Sequence, residues 1–398
     1  VLDAGQKDVS NTGTFDEWAL FSYFVRLNYD YKGKYLFEAT ARRDASSRFA
    51  AANRWGTFPA FSAGWRIVEE PFLKDVTWLS DLKLRAGWGQ NGNDNVGNYN
   101  SYTTYRAAGA ESYYNISGTS STKSDAGLHI YSLGNPAGQW ESSSTTNLGL
   151  DVSLFNNKFE ANIDLYSRQT TNMLYPDSRP DTWGGVVLPS INVGKMRNNG
   201  IDVILTYRNR IGKDLNFNIG ANLSHYKNTV VQLNGNANEI RYGITLQNDV
   251  YTATTAGQPI SSFFGYVVDG IFNTQEEVSK WPKYNPDING RDTYSMPGVF
   301  KFRDLNGDGK ITTADRTFIG SPHPTLTYGL NLSADYKNFD MTVFLQGVTG
   351  NQLVNYFNRE LLFTRNEGNY LKSRLYESWT PERYANGDKI TLPITLTN

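Results

Sequence analysis

The feature that most constrains this chain is a strict two-residue alternation of apolar and polar side chains, sustained for about ten residues at a time and repeated along the sequence. In the first instance Tyr23, Val25, Leu27, Tyr29 and Tyr31 alternate with Phe24, Arg26, Asn28 and Asp30. Successive side chains of an extended strand point to opposite faces, so this segment has one apolar face and one that is mostly polar. After Lys32-Gly33-Lys34 the pattern returns as Tyr35, Phe37, Ala39 and Ala41 against Leu36, Glu38, Thr40 and Arg42. The two segments read as a hairpin.

Three more hairpins follow. Leu148 to Leu154 turns at Asn156-Asn157, whose residue type tolerates positive φ, and returns as Phe159 to Leu165. Ile201 to Tyr207 turns at Ile211-Gly212-Lys213 and returns as Leu215 to Leu223, and Tyr328 to Tyr336 turns at Lys337-Asn338 and returns as Phe339 to Leu345. Further strands are expected at Phe58 to Val68, Leu82 to Gln90 and Phe264 to Phe272. The total is about ten or eleven strands of about ten residues, the length of a tilted bilayer crossing.

The connections divide into two classes. The hairpin turns are two to four residues long, whereas the alternate connections, Asn91 to Glu141, Thr170 to Asn198, Lys227 to Pro259 and Asn273 to Thr325, are long and rich in Gly, Ser, Asn and Thr. Short turns at one end and long loops at the other are the arrangement of a transmembrane barrel, although Greek-key crossovers imitate it. No stretch approaches the roughly 20 consecutive apolar residues of a membrane helix, so any crossing requires strands closed into a barrel. Aromatic residues make up 14% of the chain, which suits rings placed at lipid headgroups and equally a sugar-binding β protein. The polar face, with Arg26, Asn28, Asp30, Glu38, Arg42, Glu160, Asn162, Asp164, Asn216, Asn218 and Asn222, is too polar for a dry core. It lines a wet or plugged lumen, or else faces bulk water on a soluble sheet; periodicity alone leaves both open. The second reading is an extracellular soluble carbohydrate-binding or glycan-hydrolysing β domain.

Lys plus Arg number 38 against 39 Asp plus Glu, so no net field draws nucleic acid to the chain. The absence of Cys excludes disulfides, Cys-ligated zinc and thiol catalysis. His129, His225 and His323 are dispersed without ligand or triad spacing, and no Walker loop, nucleophile elbow or His-Glu-x-x-His motif occurs. The chain therefore reads as no enzyme. The sharpest local motif runs from Asp304 to Asp315 and fits a calcium loop. Asp304, Asn306 and Asp308 would supply side-chain oxygens, Gly309 the sharp turn, Lys310 a backbone carbonyl, and Thr312 and Asp315 the closing positions. Asp315 stands where Glu is usual, and an Asx-turn loop without metal has the same composition. Tyr113, Tyr114, Trp140, Trp183, Tyr242 and Trp281 in the loops suit sugar stacking or, alternatively, loop packing.

Several phrases in order along the chain resemble the SusC/RagA-type TonB-dependent outer-membrane transporters of Bacteroidetes. They are Ser46-Ser47-Arg48-Phe49 with Asn53-Arg54-Trp55-Gly56 and Phe58-Pro59; Ser62-Ala63-Gly64-Trp65-Arg66 with Glu69-Glu70-Pro71-Phe72; and Leu82-Lys83-Leu84-Arg85 with Gly89-Gln90-Asn91-Gly92-Asn93-Asp94. Asn135-Pro136 with Trp140-Glu141, Asn192-Val193-Gly194 with Asn198-Asn199-Gly200, Gly265-Tyr266 with Asp269-Gly270-Ile271-Phe272, and the Asp304 loop with Asp315-Arg316 and Ile319-Gly320 complete the set. The resemblance implies an all-β fold: an antiparallel transmembrane β-barrel of about 22 strands, of which residues 1–398 form part of one barrel domain. It implies import of oligosaccharides or peptides across the cell outer membrane, driven by TonB and assisted by a SusD-like surface lipoprotein. The chain begins at Val1 without a signal-peptide pattern and contains no plug, TonB box or aromatic-terminated last strand, so a fragment or processed product is expected.

Overall fold

The computed structural model describes residues 15–107, 113–114, 125–176, 186–233, 240–243, 245–246, 249–284, 296–358, 361–362 and 369–394. The chain divides into two compact units, residues 1–239 with 325–349 and residues 240–324 with 350–398.

The first unit is built on a ten-stranded sheet. Its strands are β1 (Leu20–Tyr31), β2 (Tyr35–Ser46), β3 (Trp55–Arg66), β4 (Leu79–Asn93), β5 (Glu141–Leu154), β6 (Phe159–Thr171), β7 (Lys195–Ile211), β8 (Leu215–Gln232), β9 (Leu326–Tyr336) and β10 (Phe339–Thr349). Each pairs antiparallel with the next in sequence, so the sheet is an up-and-down meander without crossovers. One end carries the connections 32–34, 67–78, 155–158, 212–214 and 337–338; the other carries 47–54, 94–140, 172–194 and 233–325. The tight turns are set by residues that accept positive φ: Lys32 and Gly33 at 57° and 65°, Asn156 and Asn157 at 56° and 64°. The 67–78 connection is longer than the two to four residues expected, because it folds into two 3-10 turns around Pro71.

The register carries one face unbroken across the sheet. Tyr29, Phe37, Ala63, Ala86, Leu148, Leu165 and Ile201 are successive directly paired residues from β1 to β7, and Ala221, Leu330 and Leu345 continue the same face through β10. Leu148 and Leu165, in the middle of their strands, are 48% and 49% exposed. Leucines in the centre of a sheet are covered in a sandwich; here they are not. The buried hydrophobic clusters sit instead among the connections, one around Trp140 and one around Phe272. Aromatic side chains bracket the apolar band. Phe21, Tyr23 and Trp55 meet at one end with ring centroids about 6 Å apart, and Tyr31 stacks on Tyr35 at the other, where Trp65 is the next paired residue. The ten-residue step from Trp55 to Trp65 along β3 is about 33 Å of strand, or about 25 Å along the normal at a tilt of about 40°, the height of the apolar band of a membrane barrel.

The second unit contains short strands, among them a four-stranded sheet of Arg241–Tyr242, Thr252–Thr254, Ser262–Gly265 and Thr317–Gly320, and short helices at Gln275–Lys280, Lys372–Glu377 and Pro381–Asn386. The expected crossing strand from Phe264 to Phe272 does not exist. Ser262–Gly265 and Val268–Ile271 are separate four-residue strands in different sheets, the first paired with Thr317–Gly320 and the second with Phe300–Phe302. The ladder of the second slips between Val268 and Gly270, where Gly270 takes φ 146°.

Placing a charge on the apolar face should cost far more than placing one on the polar face. Leu165→Arg is expected to lose about 2–4 kcal/mol of folding stability in lipid, whereas Thr206→Lys, on the opposite face of β7, should cost under about 1 kcal/mol. Unfolding of the full-length protein from lipid vesicles measures both.

Candidate functional site

Several charges on the polar face of the sheet are held in pairs. Arg85 of β4 forks onto Asp151 of β5 through two bonds of 2.8 Å and reaches Asp164 of β6 through bonds of 3.0 and 3.1 Å. Asn162 donates to the same Asp151 at 2.9 Å. The guanidinium crosses β5 at Gly149, where a Cβ would stand 2.6 Å from both Arg85 Cζ and Asp164 Oδ1. Glycine there is a requirement of the cross-strand bond. Arg26–Glu38 and Arg208–Glu160, both at 2.8 Å, repeat the pairing toward either side of the sheet. Two concavities open on this face. One, of about 580 Å³, is lined by Phe24, Arg26, Arg42, Asp44, Phe58 and Asp94; the other, of about 530 Å³, by Asn28, Glu38, Lys83, Arg85 and Asn147. The wall offers donors, acceptors and charge to a polar solute.

At the long-connection end a knot of side chains joins three connections. Phe49, Phe58, Val96 and Trp140 form a buried cluster with Leu174 against it, and Trp140 donates its indole N–H to Arg54 O at 3.0 Å. Ser46 donates to Asp94 at 2.8 Å, while Arg48 donates to Asn98 at 2.8 Å and to Asp94 O at 3.3 Å. Asn192 clamps Gln139, accepting from its N–H at 2.7 Å and donating to its carbonyl at 2.8 Å. The phrases around Ser46, Asn53, Gly89 and Asn135 thus converge on this rim. Trp140 packs within it and is no exposed stacking platform. Trp281 packs on Phe272 and donates to Phe302 O, whereas Tyr242 is 55% exposed. Trp183 and the side chains of Tyr113 and Tyr114 lie outside the described residues.

At the opposite rim Glu70 gathers Tyr35 (2.9 Å), Trp65 (3.0 Å) and Lys34 (3.0 Å). The Trp65 indole N–H, with Lys34 and Tyr35, holds the Glu70 carboxyl below its ordinary value. Nothing in the alternation marks this hub; only its Glu-Glu-Pro-Phe phrase could have drawn attention to it.

The calcium-like loop lies in the second unit and is anchored by Ile311, which is buried with Phe272, Val278 and Tyr284. Lys283–Tyr284 pairs in parallel with Lys310–Ile311. Asp304 accepts from the amides of Gly307 and Gly309 at 2.7 and 2.9 Å, Asn306 from Asp308 at 3.0 Å, and Asp308 from Lys310 at 2.8 Å. Each of these oxygens retains a second lone pair. Asp315 is fully buried and accepts from the Leu305 amide at 2.9 Å and the Thr312 amide at 2.7 Å, with Thr312 completing a capping box. It therefore closes the loop through amides. Among the described residues no group of three or more His, Cys, Asp or Glu side chains converges as a metal cluster, so an ion here would rest on mixed carboxylate, amide and carbonyl oxygens. The three histidines do not meet: His323 contacts Ile260 O at 2.9 Å and His225 contacts Thr325 O.

Residues 2–349 match the family described as TonB dependent receptor-like, beta-barrel. The chain belongs to this family. It is 33% identical over 363 residues to TonB-dependent receptor P3 of Formosa agariphila, covering 90% of this chain and 35% of that protein. It is 31% identical over 368 residues to TonB-dependent receptor SusC of Bacteroides thetaiotaomicron, covering 90% and 33%. Among solved structures, that of the RagAB peptide transporter superposes with a TM-score of 0.75 at 26% identity, covering 96% of this chain and 38% of that one. The chain spans about a third of the length of the relatives it matches. As a TonB-dependent receptor barrel it is an outer-membrane protein of a family of receptors and transporters rather than enzymes. The exposed apolar face agrees with this membership, which replaces the soluble-domain alternative.

Burial alone would raise the Asp315 carboxyl, but the amides of Thr312, Leu305 and Asn306 prevail and hold it below the ordinary value. Its stabilising effect is therefore present above the unfolded value of about 3.9 and is lost as pH falls through the folded value. Asp315→Ala should lower the hydrogen-exchange protection of the Leu305 and Thr312 amides about tenfold at neutral pH, the effect of about 1.4 kcal/mol. Gly149→Ala should displace Arg85 and lower receptor stability by about 1–3 kcal/mol, read as unfolding from lipid vesicles.

Proposed function

We propose that the receptor of which residues 1–398 form part of one barrel domain imports oligosaccharides or peptides across the outer membrane. In this reading a plug and TonB box outside residues 1–398 couple it to TonB, and a SusD-like lipoprotein meets the long-connection side. The observation that carries the reading is the two-faced wall: an apolar face bracketed by rings, and a paired-charge face with room for polar solute. The wall acts as scaffold, and the long connections meet ligand and lid. The names of its relatives, SusC and the RagAB peptide transporter, support the nutrient classes named.

Deletion of the whole gene in the native host, followed by growth on a panel of single oligosaccharides and peptide mixtures, tests the reading. Loss of growth on a subset, restored by the full-length gene but not by one lacking the TonB box, is expected. Unchanged growth across the panel overturns it. Affinity purification of the receptor from detergent should bring down one surface lipoprotein.

The Asp304–Asp315 loop is proposed as a hard-cation site, Ca²⁺ above others, held by Asp304, Asn306, Asp308 and the Lys310 carbonyl, while Thr312 and Asp315, the expected closing ligands, close the loop through their capping box and amide bonds. The oxygens left with a free lone pair support this. Calcium should slow proteolysis within the loop, and Asp304→Asn with Asp308→Asn should abolish that protection. Equal cleavage with and without calcium leaves the Asx-turn reading in its place.

A further inference from the structure

The short-connection rim repeats one pairing of charge and apolar surface. Each of its five connections carries an exposed lysine: Lys32, Lys74, Lys158, Lys213 and Lys337. Lys32 stands over the Tyr31 ring at 5.2 Å and Lys337 over the Tyr336 ring at 5.3 Å. Phe72 and Trp78 flank Lys74 in sequence, and Phe155 lies in the same turn as Lys158; all three rings are more than half exposed. Ile211, 59% exposed, ends the strand before Lys213.

None of the five lysines makes an ion pair among the described residues, although Lys34 of the same rim is tied to Glu70 at 3.0 Å. The acids that would neutralise them are partly consumed. Glu70 is held by Lys34, and Glu69 by Arg66 at 3.1 Å; of the other acids of this rim, Asp30, Asp335 and Asp340 belong to the polar face of the sheet, and Asp75 and Asp214 lie in the connections. The arc is thus a line of exposed ammonium groups without ion pairs among the described residues, one per connection, where an apolar face meets water.

Rings at such a boundary sit at the level of lipid headgroups, and a lysine beside them places its ammonium level with the phosphates. A folded protein partner would need a matching acidic arc to reach all five turns. A leaflet of phosphodiesters meets each of them in the same way. We propose that these five lysines form a binding arc for anionic phospholipid headgroups in the leaflet at the short-connection side. Their attraction adds to that of the rings and is screened by salt. The proposal rests on the barrel's placement in the membrane and not on import.

The test uses the full-length receptor in nanodiscs of phosphatidylcholine with a minor share of phosphatidylglycerol. Lipids that remain attached after detergent release are counted by mass spectrometry. The parent should enrich phosphatidylglycerol at least about two-fold over the bulk ratio at low salt, and the enrichment should fade at high salt. A variant with all five lysines changed to glutamine should fall to the bulk ratio, while the same five changed to arginine should keep the excess. Because the five make no ion pairs among the described residues, the heat-modifiable mobility of the folded barrel should persist; should it not, Lys32→Gln with Lys337→Gln reads the same ratio with a smaller fall. Enrichment equal to the parent's in the glutamine variants, or none in the parent, overturns the proposal. Loss of nutrient uptake with lipid enrichment retained counts against the import reading alone.

Discussion

A backbone amide placed in hydrocarbon has no solvent to bond, and every other feature of this sheet follows from that constraint. The ten strands answer it by pairing each with its neighbour in the sheet, from Leu20 opposite Ser46 to Tyr336 opposite Phe339. Once the ladder is fixed, the two-residue period decides the rest. A slip of one residue in any strand would turn Leu148 or Leu165 inward and bring Asp151 or Asp164 into lipid, so register is enforced by the environment on both sides. Isolated meanders of this size bury their apolar face against a second layer. Here Leu148 and Leu165 remain half exposed, and the solvent suited to them is a bilayer.

The same constraint shapes the polar face. Charges there cannot lean on a packed core for support, and the sheet supplies partners from adjacent strands. Arg85 is the clearest case, because it satisfies two carboxylates on two different strands by lying across a third residue that has no side chain. That geometry converts Gly149 from a weak point of β5 into the opening that lets one guanidinium tie three strands. Ties of this kind keep the face polar while satisfying charged groups from within the sheet.

How much of this could be read in the sequence depends on whether a signal repeats. Six of the ten strands alternate over most of their length and are legible to within about four residues of their ends, whereas Phe159–Thr171, Lys195–Ile211 and Leu215–Gln232 run beyond the alternating segments Phe159 to Leu165, Ile201 to Tyr207 and Leu215 to Leu223 into polar sequence. The tenth, Glu141–Leu154, was placed only from Leu148 onward, since its first half is Ser-Ser-Ser-Thr-Thr and has no apolar face to count. Phe264 to Phe272 misled for the opposite reason: it alternates briefly, but Gly265 and Gly270 interrupt it and the two halves find partners in different small sheets. The Glu70 hub, the clamp between Asn192 and Gln139, and the Trp140 knot were invisible to periodicity because each joins residues tens of positions apart. In the Asp304 loop the residue types were legible and their use was not. An Asp at the closing position satisfies amides or an ion with the same two oxygens, and only the coordinates show Asp315 spending them on Leu305 and Thr312.

The long connections follow a different logic from the wall. They have no lipid to enforce a register, so order must come from their own contacts. In the first unit it comes from side chain to backbone bonds: Trp140 to Arg54, Asn53 to Pro136, Asn135 to Ser190, and Asn192 to Gln139 and Asn172. Amide side chains suit this because one Asn both donates and accepts, and so fixes a strand-like contact between segments that are not strands. The buried rings of Phe49, Phe58 and Trp140 then exclude water from the base of the assembly, where it meets the end of the sheet. Above that base the composition is free to change without disturbing the ladder. A receptor family can therefore alter what its outer surface meets while keeping one wall, since the bonds that hold the wall together and those that shape the loops share few residues beyond the rim.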